Sequence, residues 1–253
     1  MILLRLFYTI IEWRIICNVY CISHCCVNFF CINNVVGILE TKKRKDIIIT
    51  EKIRCKDYIE SSVLLWGAVL AVFIMCLIGN ISFADIGLRF INFDHNIWFT
   101  IITFIFSGML FVFILYQIIF SLVNKNFREK SKKQVIDGIG ASDRIPRTQK
   151  ERRLWFLLAF SAGVCEEIIY RGFLVFLLQA IFPGISIIFI ILITFVTFGV
   201  GHLSQGLQGA IFTGILGALF MCLFIVTDSL LLPMLLHFLF DLQSTFVFLE
   251  EKA

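Results

Sequence analysis

Charge is the scarcest commodity in this chain. Only 16% of its 253 residues are charged against 59% hydrophobic, and there are just 3 Pro. Soluble domains carry roughly 45–50% apolar and about 25% charged residues, so this sequence cannot cover a water-facing surface with polar groups. That excludes a disordered chain, an ordinary globular domain and a disulfide-rich scaffold. Also missing are a P-loop, a dinucleotide-binding glycine fingerprint, internal repeats and the HExxH spacing in which one helix supplies two metal ligands and a base. The net charge of +4 is small and clustered, which fits membrane topology and not nucleic-acid binding.

What is present is apolar length, with Phe alone occurring 29 times. A membrane-spanning helix needs about 20 mostly apolar residues. Six such stretches fill most of the chain: Ser61 to about Ile81, about Trp98 to Val123, and then about 154–180, 185–203, 207–227 and 229–249. Pro183-Gly184, Ser204-Gln205-Gly206 and Thr227-Asp228-Ser229 mark turns, with Ser229 expected as a helix cap. The expected fold is all-α, a polytopic transmembrane bundle of about six core spans over residues 61–249. Residues 1–60 stand apart as an apolar and basic segment. Their first 39 residues read either as an added membrane or interfacial helix or as a stretch ahead of the true start. Five of the nine cysteines (Cys17, Cys21, Cys25, Cys26 and Cys31) crowd this segment among Ile, Val and Phe, a setting unsuited to a metal cluster.

Loop charge gives an orientation. Residues 125–153 hold ten Lys or Arg against four Asp or Glu, a net +6, whereas the 82–97 connection is −1. Cationic loops stay inside, so residues 40–60 and 125–153 are expected in the cytoplasm and 82–97 outside, in a multi-pass protein of the cell membrane. Gly206, Ala210, Gly214 and Ala218 recur every four residues, a small-residue stripe that lets a neighbouring helix approach closely.

Against this background a few ionisable residues stand out. Glu166, Glu167 and Arg171 lie mid-span, where each charge opposes insertion by about 2.5–3.5 kcal/mol. Glu167 and Arg171, at i,i+4, share a helix face and can pair. An ion pair alone would serve as glue between helices, but two glutamates with one arginine leave a surplus carboxylate, Glu166, which glue does not need. His202 closes the next apolar segment, and His237 and Asp241 share a face of the last one. Alone, His202 reads more readily as a packing or interfacial residue, and the His237–Asp241 pair reads equally as a helix-packing hydrogen bond or a site. Together they are nearly the only ionisable groups in the last four segments, and on three helices they can converge on one cavity. Two imidazoles, an aspartate and an unpaired glutamate are the parts for activating water and stabilising an oxyanion.

These residues fall into Glu166-Glu167-xxx-Arg171, Phe198-xxx-His202 and His237-xxx-Asp241, in that order, with RTQKERR before the first motif and ADIGLRF at 84–90. In this the chain resembles the CPBP intramembrane proteases, also called the CAAX protease and bacteriocin-processing or Abi family, over about residues 60–249. The resemblance implies a glutamate-dependent endopeptidase acting on a peptide or protein substrate within the lipid bilayer. By position, Glu166 is the general base assisted by His202, Glu167 and Arg171 orient the helix and tune Glu166, and His237 with Asp241 forms the oxyanion site. Asp241 stands where eukaryotic members carry Asn. An ionised Asp repels an oxyanion, so it is expected to be protonated, to orient His237, or to bind a metal. The favoured reading requires no cofactor; the alternative is zinc held by Glu166, His202, His237 and Asp241. Peptide or bacteriocin processing or self-immunity is the expected role, and a non-catalytic membrane immunity or scaffold protein using the same cavity is the competing one. A proton-relay transporter fits less well, for want of inverted repeats.

One difficulty follows from depth. Glu166 sits about 18 Å into its span at 1.5 Å per residue, whereas the expected boundaries put His202 near a membrane edge. The 199–206 turn is therefore expected to dip into the bundle.

Overall fold

A computed structural model describes residues 49–93, 96–138 and 145–248. The first 48 residues, and with them the clustered cysteines and the Lys42–Lys45 run, lie outside the described residues.

Helices are the regular secondary structure of the described residues, with no strand among them. Helix α1 (Glu51–Gly79) starts where the Thr50 hydroxyl accepts the Ile53 N–H and stops at Asn80, whose left-handed φ of 50° ends the helical run. It begins ten residues before the apolar stretch because its first turns are polar. Helix α2 (Ile97–Val123) is capped by the Asn96 side chain, which accepts from Trp98 and Phe99 N–H. The short charged helix α3 (Lys125–Gly138) follows. Helix α4 (Gln149–Glu167) opens with a reciprocal capping box, Thr148 with Glu151. It runs on through a π-helical turn (Ile168–Phe173), where the Leu174 N–H donates to the Ile169 carbonyl, into α5 (Leu174–Ile181). Helices α6 (Ile187–Gly201), α7 (Gly206–Thr227) and α8 (Leu231–Val247) complete the bundle, with a 3₁₀ turn (Leu203–Gln205) between α6 and α7.

Six rods thus lie along the six expected segments, the third being α4–π turn–α5. In the bundle α1 packs on α4 and α4 on α8, α2 spans α8 and α7, and α6 lies along α7. Three helical stretches are long and apolar enough to cross a membrane: Glu51–Gly79, Ile97–Val123 and Leu203–Thr227. The 149–181 rod misses that test because it carries the mid-span charges. Outward faces are apolar, with Val63, Leu70, Leu77, Ile105, Met109 and Val112 exposed. A surface of this kind belongs in lipid. The protein is a membrane protein.

Small residues set the close contacts. On α7, Ala210 and Gly214 meet α6 as expected: a Cβ on Gly199 would lie 2.8 Å from the Ala210 carbonyl oxygen, and one on Gly214 2.9 Å from that of Phe195. Gly206 differs: it stands in open space at φ +85°, and a further close contact is made by Gly217, against Phe198.

The connection 82–93 folds over the end of the bundle far from the charged stretches. Its Gly87 carbonyl accepts the Leu230 N–H, Arg89 pairs with Asp228, and Asn92 N–H reaches the Thr227 carbonyl. Ser229 both accepts the Leu231 N–H and donates to the Arg89 carbonyl, so the residue expected as a cap also staples the two loops. The Ile86 carbonyl sits where a Cβ on Gly172 would be, 2.5 Å away. This loop therefore packs directly on the π turn.

Candidate active site

The site is built where α4 and the π turn face α8. Gly163 lets them approach, since a Cβ there would lie 2.8 Å from the Phe238 backbone nitrogen. Just beyond it, Glu167 and Arg171 are both fully buried. The Arg171 Nη1 donates to Glu167 Oε1 at 2.9 Å, the pairing their spacing forecasts. Two desolvated charges are tolerable only when further partners satisfy them, and here they come from tertiary structure. Arg171 Nη2 donates to the Gly217 carbonyl at 3.1 Å, and its guanidinium lies 4.4 Å from the Phe198 ring centre and 5.6 Å from that of Phe220.

Glu167 Oε1 has a second partner 70 residues away: His237 Nδ1, at 2.7 Å. Glu167 is thereby tied to His237 and not to Glu166. With Nδ1 committed, His237 Nε2 points at two other carboxylates, 3.9 Å from Glu166 Oε2 and 3.7 Å from Asp241 Oδ2. Those separations exceed a direct hydrogen bond and suit a bridging molecule of water's size. Exposure divides the cluster: the Glu167 and Arg171 side chains are 0% exposed and His237 6%, whereas Glu166 keeps 18% and Asp241 29%. An interior pair holds the imidazole; two outer carboxylates flank its free nitrogen. Glu166 Oε2 makes no hydrogen bond within the protein.

His202 belongs to the same neighbourhood by a less direct route. It caps the end of α6, half-buried, with Nδ1 2.8 Å from the Phe198 carbonyl. A carbonyl only accepts, so Nδ1 carries the proton and the lone pair of the neutral ring is on Nε2. Its ring stacks on Phe198 at 4.7 Å, and Phe198 in turn meets Tyr170 at 5.2 Å and His237 at 5.8 Å. No hydrogen bond or ion pair joins His202 to Glu166 among the described residues. Helix α6 is only 15 residues long, about 22 Å, short of the ~30 Å apolar layer.

Six of the residues singled out by sequence thus sit on three converging segments, five of them in one contact network. Others were missed. Trp155 Nε1 donates to the Asp241 carbonyl at 3.3 Å, and Phe220 and Gly217 face the cluster from α7. None carries a signal in sequence: Phe220 is one of 29 Phe. Among the described residues, no three His, Cys, Asp or Glu side chains are gathered as metal ligands.

Residues 149–243, which span the whole cluster, match the family model described as type II CAAX prenyl endopeptidase Rce1-like. No curated protein and no solved structure matches the chain.

Proposed function

We infer, from the match of residues 149–243 to the type II CAAX prenyl endopeptidase Rce1-like family model, that the chain is a multi-pass peptidase of the cell membrane which hydrolyses a peptide bond by activating water on Glu166. A CAAX-type intramembrane endopeptidase acts in contact with lipid on a peptide chain, and those two partners follow directly. One observation carries the assignment of residues: His237 is held by Nδ1 on Glu167 at 2.7 Å while its Nε2 faces Glu166 and Asp241 at 3.9 and 3.7 Å.

In this reading the Glu166 carboxylate removes a proton from water as its oxygen attacks the substrate carbonyl carbon. His202, with its Nε2 lone pair directed away from Phe198, takes a hydrogen bond from the same water. The carbonyl π electrons move onto oxygen, and His237 Nε2–H donates to the resulting oxyanion. Collapse breaks the C–N bond, and the proton held by Glu166 passes to the leaving amine. Asp241, 3.7 Å from His237 Nε2, faces the imidazole and not the oxyanion in this reading, and helps to orient the ring. Glu167 and Arg171 act one step back: they fix His237, a more specific task than tuning Glu166. No step needs a metal. Processing of a small peptide, a bacteriocin or its self-immunity counterpart remains the expected biological use.

The test is cleavage of a peptide library by protein reconstituted in lipid. Glu166→Ala and His202→Ala are expected to lower turnover by 10²-fold or more, about 3 kcal/mol of transition-state stabilisation, with insertion and melting unchanged. Chelator is expected to leave the wild type active. Full activity in both variants sinks the assignment; loss with chelator and rescue by Zn²⁺ sinks the metal-free mechanism.

A further inference from the structure

The three motif segments occupy α4 with its π turn, α6 and α8, and α7 carries none. Yet α7 is the most enclosed of the long apolar helices. In its apolar stretch 61% is buried, against 22% and 17% in α1 and α2. What it encloses is the back of the site. The Gly217 carbonyl accepts Arg171 Nη2, and one turn on, the Phe220 ring lies 5.4 Å from the His237 imidazole at a 30° tilt and 5.6 Å from the Arg171 guanidinium. Phe220 is 1% exposed, so its ring has little freedom to move away.

We propose that Phe220 is a positioning residue, which with Gly217 makes α7 the wall that fixes His237 and Arg171. Arg171 has only two hydrogen bonds, and its Nε makes none. Two aromatic faces, Phe198 and Phe220, supply the remaining stabilisation of a cation cut off from water. The same Phe220 ring, inclined 30° to the imidazole at 5.4 Å, opposes rotation of the His237 ring. Nδ1 then stays on Glu167 and Nε2 stays between Glu166 and Asp241. Gly217 completes the wall by what it lacks: a Cβ there would lie 3.0–3.2 Å from three atoms of Phe198, so its bare surface lets Phe198 close on Arg171. The catalytic consequence rests on the peptidase reading; the positioning role does not.

The experiment uses the full chain in lipid nanodiscs with ¹⁵N-labelled histidine. Phe220→Leu keeps an apolar side chain and removes the ring. Phe220→Tyr keeps the ring, and Phe224→Leu makes the same loss one turn further on, against Gly87 and away from the site. The hydrogen-bonded Nδ1–H resonance of His237 is expected in wild type, Phe220→Tyr and Phe224→Leu, and broadened or lost in Phe220→Leu. Should Phe220→Leu fail to fold, Gly217→Ala is expected to show the same loss. Retention of the wild-type resonance in either variant, or its equal loss in Phe224→Leu, overturns the proposal. In cleavage, kcat of Phe220→Leu is expected to fall roughly tenfold with KM within about twofold. A resonance that responds as expected in a protein that cleaves no peptide leaves the positioning role standing and removes the peptidase.

Discussion

Two glutamates of α4, Glu151 and Glu167, have 0% exposure, and the chain satisfies them by different means. Glu151 sits at the helix start, outside the apolar layer. Burial alone would raise its pKa, but its carboxylate accepts the backbone N–H groups of Thr148 and Arg147 and the Arg54 Nε at 2.7 Å, and these donors hold it below the ordinary 4.5. A depressed carboxylate contributes stability that is fully present above its unfolded pKa and is lost as pH falls through the folded value. Melting of the wild type is therefore expected to be flat from neutral pH to about 5 and to drop below 4.5. Glu151→Gln, which keeps the shape and loses the charge, is expected to melt lower at neutral pH and to show less of that acid-side fall; parallel curves for the two proteins would refute it. Glu167 has no such backbone donors and depends on Arg171 and His237. Half of that was legible. Charge in an apolar span is expensive enough to announce itself, so all six candidates could be read, and i,i+4 spacing gave Glu167–Arg171. The bond to His237 spans 70 residues, and nothing local encodes it.

At the scale of elements, glycine contacts decide how near the helices come, and the site depends on that distance. Gly163 faces the Phe238 backbone across α4 and α8, two elements that also carry Glu167 and His237. Gly67 on α1 and Gly108 on α2 have nothing within 4 Å of a Cβ. Gly163→Ala is expected to cost about 1–3 kcal/mol through overpacking and to cut activity further, because separating α4 from α8 stretches the Glu167–His237 bond. Gly67→Ala and Gly108→Ala are expected to be neutral or slightly stabilising, since Ala is the better helix former. Thermal melting beside cleavage separates the two, and an innocuous Gly163→Ala would contradict the packing account. The span positions were legible because apolar length is the strongest signal a membrane protein carries. The π turn at Ile168–Phe173 was not, because it answers to tertiary contacts: Gly172 against the 82–93 loop and Arg171 against α7.

For the whole molecule the question is which way the bundle faces. Its two ends differ chemically. One gathers the cationic residues of 125–134 and 147–153 and the Arg54–Glu151 lock; the other is closed by the 82–93 loop, docked on Thr227–Leu230 with Arg89 paired to Asp228. Transferring Lys and Arg clusters across a bilayer is what the topology of membrane proteins avoids, so the cationic end is expected in the cytoplasm. Alternation of the six rods then places Phe90 and Pro183 outside and Lys130 and Gln208 inside, all four being exposed. Single cysteines at these positions, in a chain whose native cysteines are replaced by Ser or Ala, are expected to react with a membrane-impermeant maleimide in two sets. Phe90→Cys and Pro183→Cys label in intact cells; Lys130→Cys and Gln208→Cys label only in inverted vesicles. A shared pattern for Phe90 and Lys130 would mean that α2 does not cross, and a shared pattern for Pro183 and Gln208 would mean that α6 does not. Because α6 ends at His202, the second result would also count against the proposed sharing of one water by His202 and Glu166.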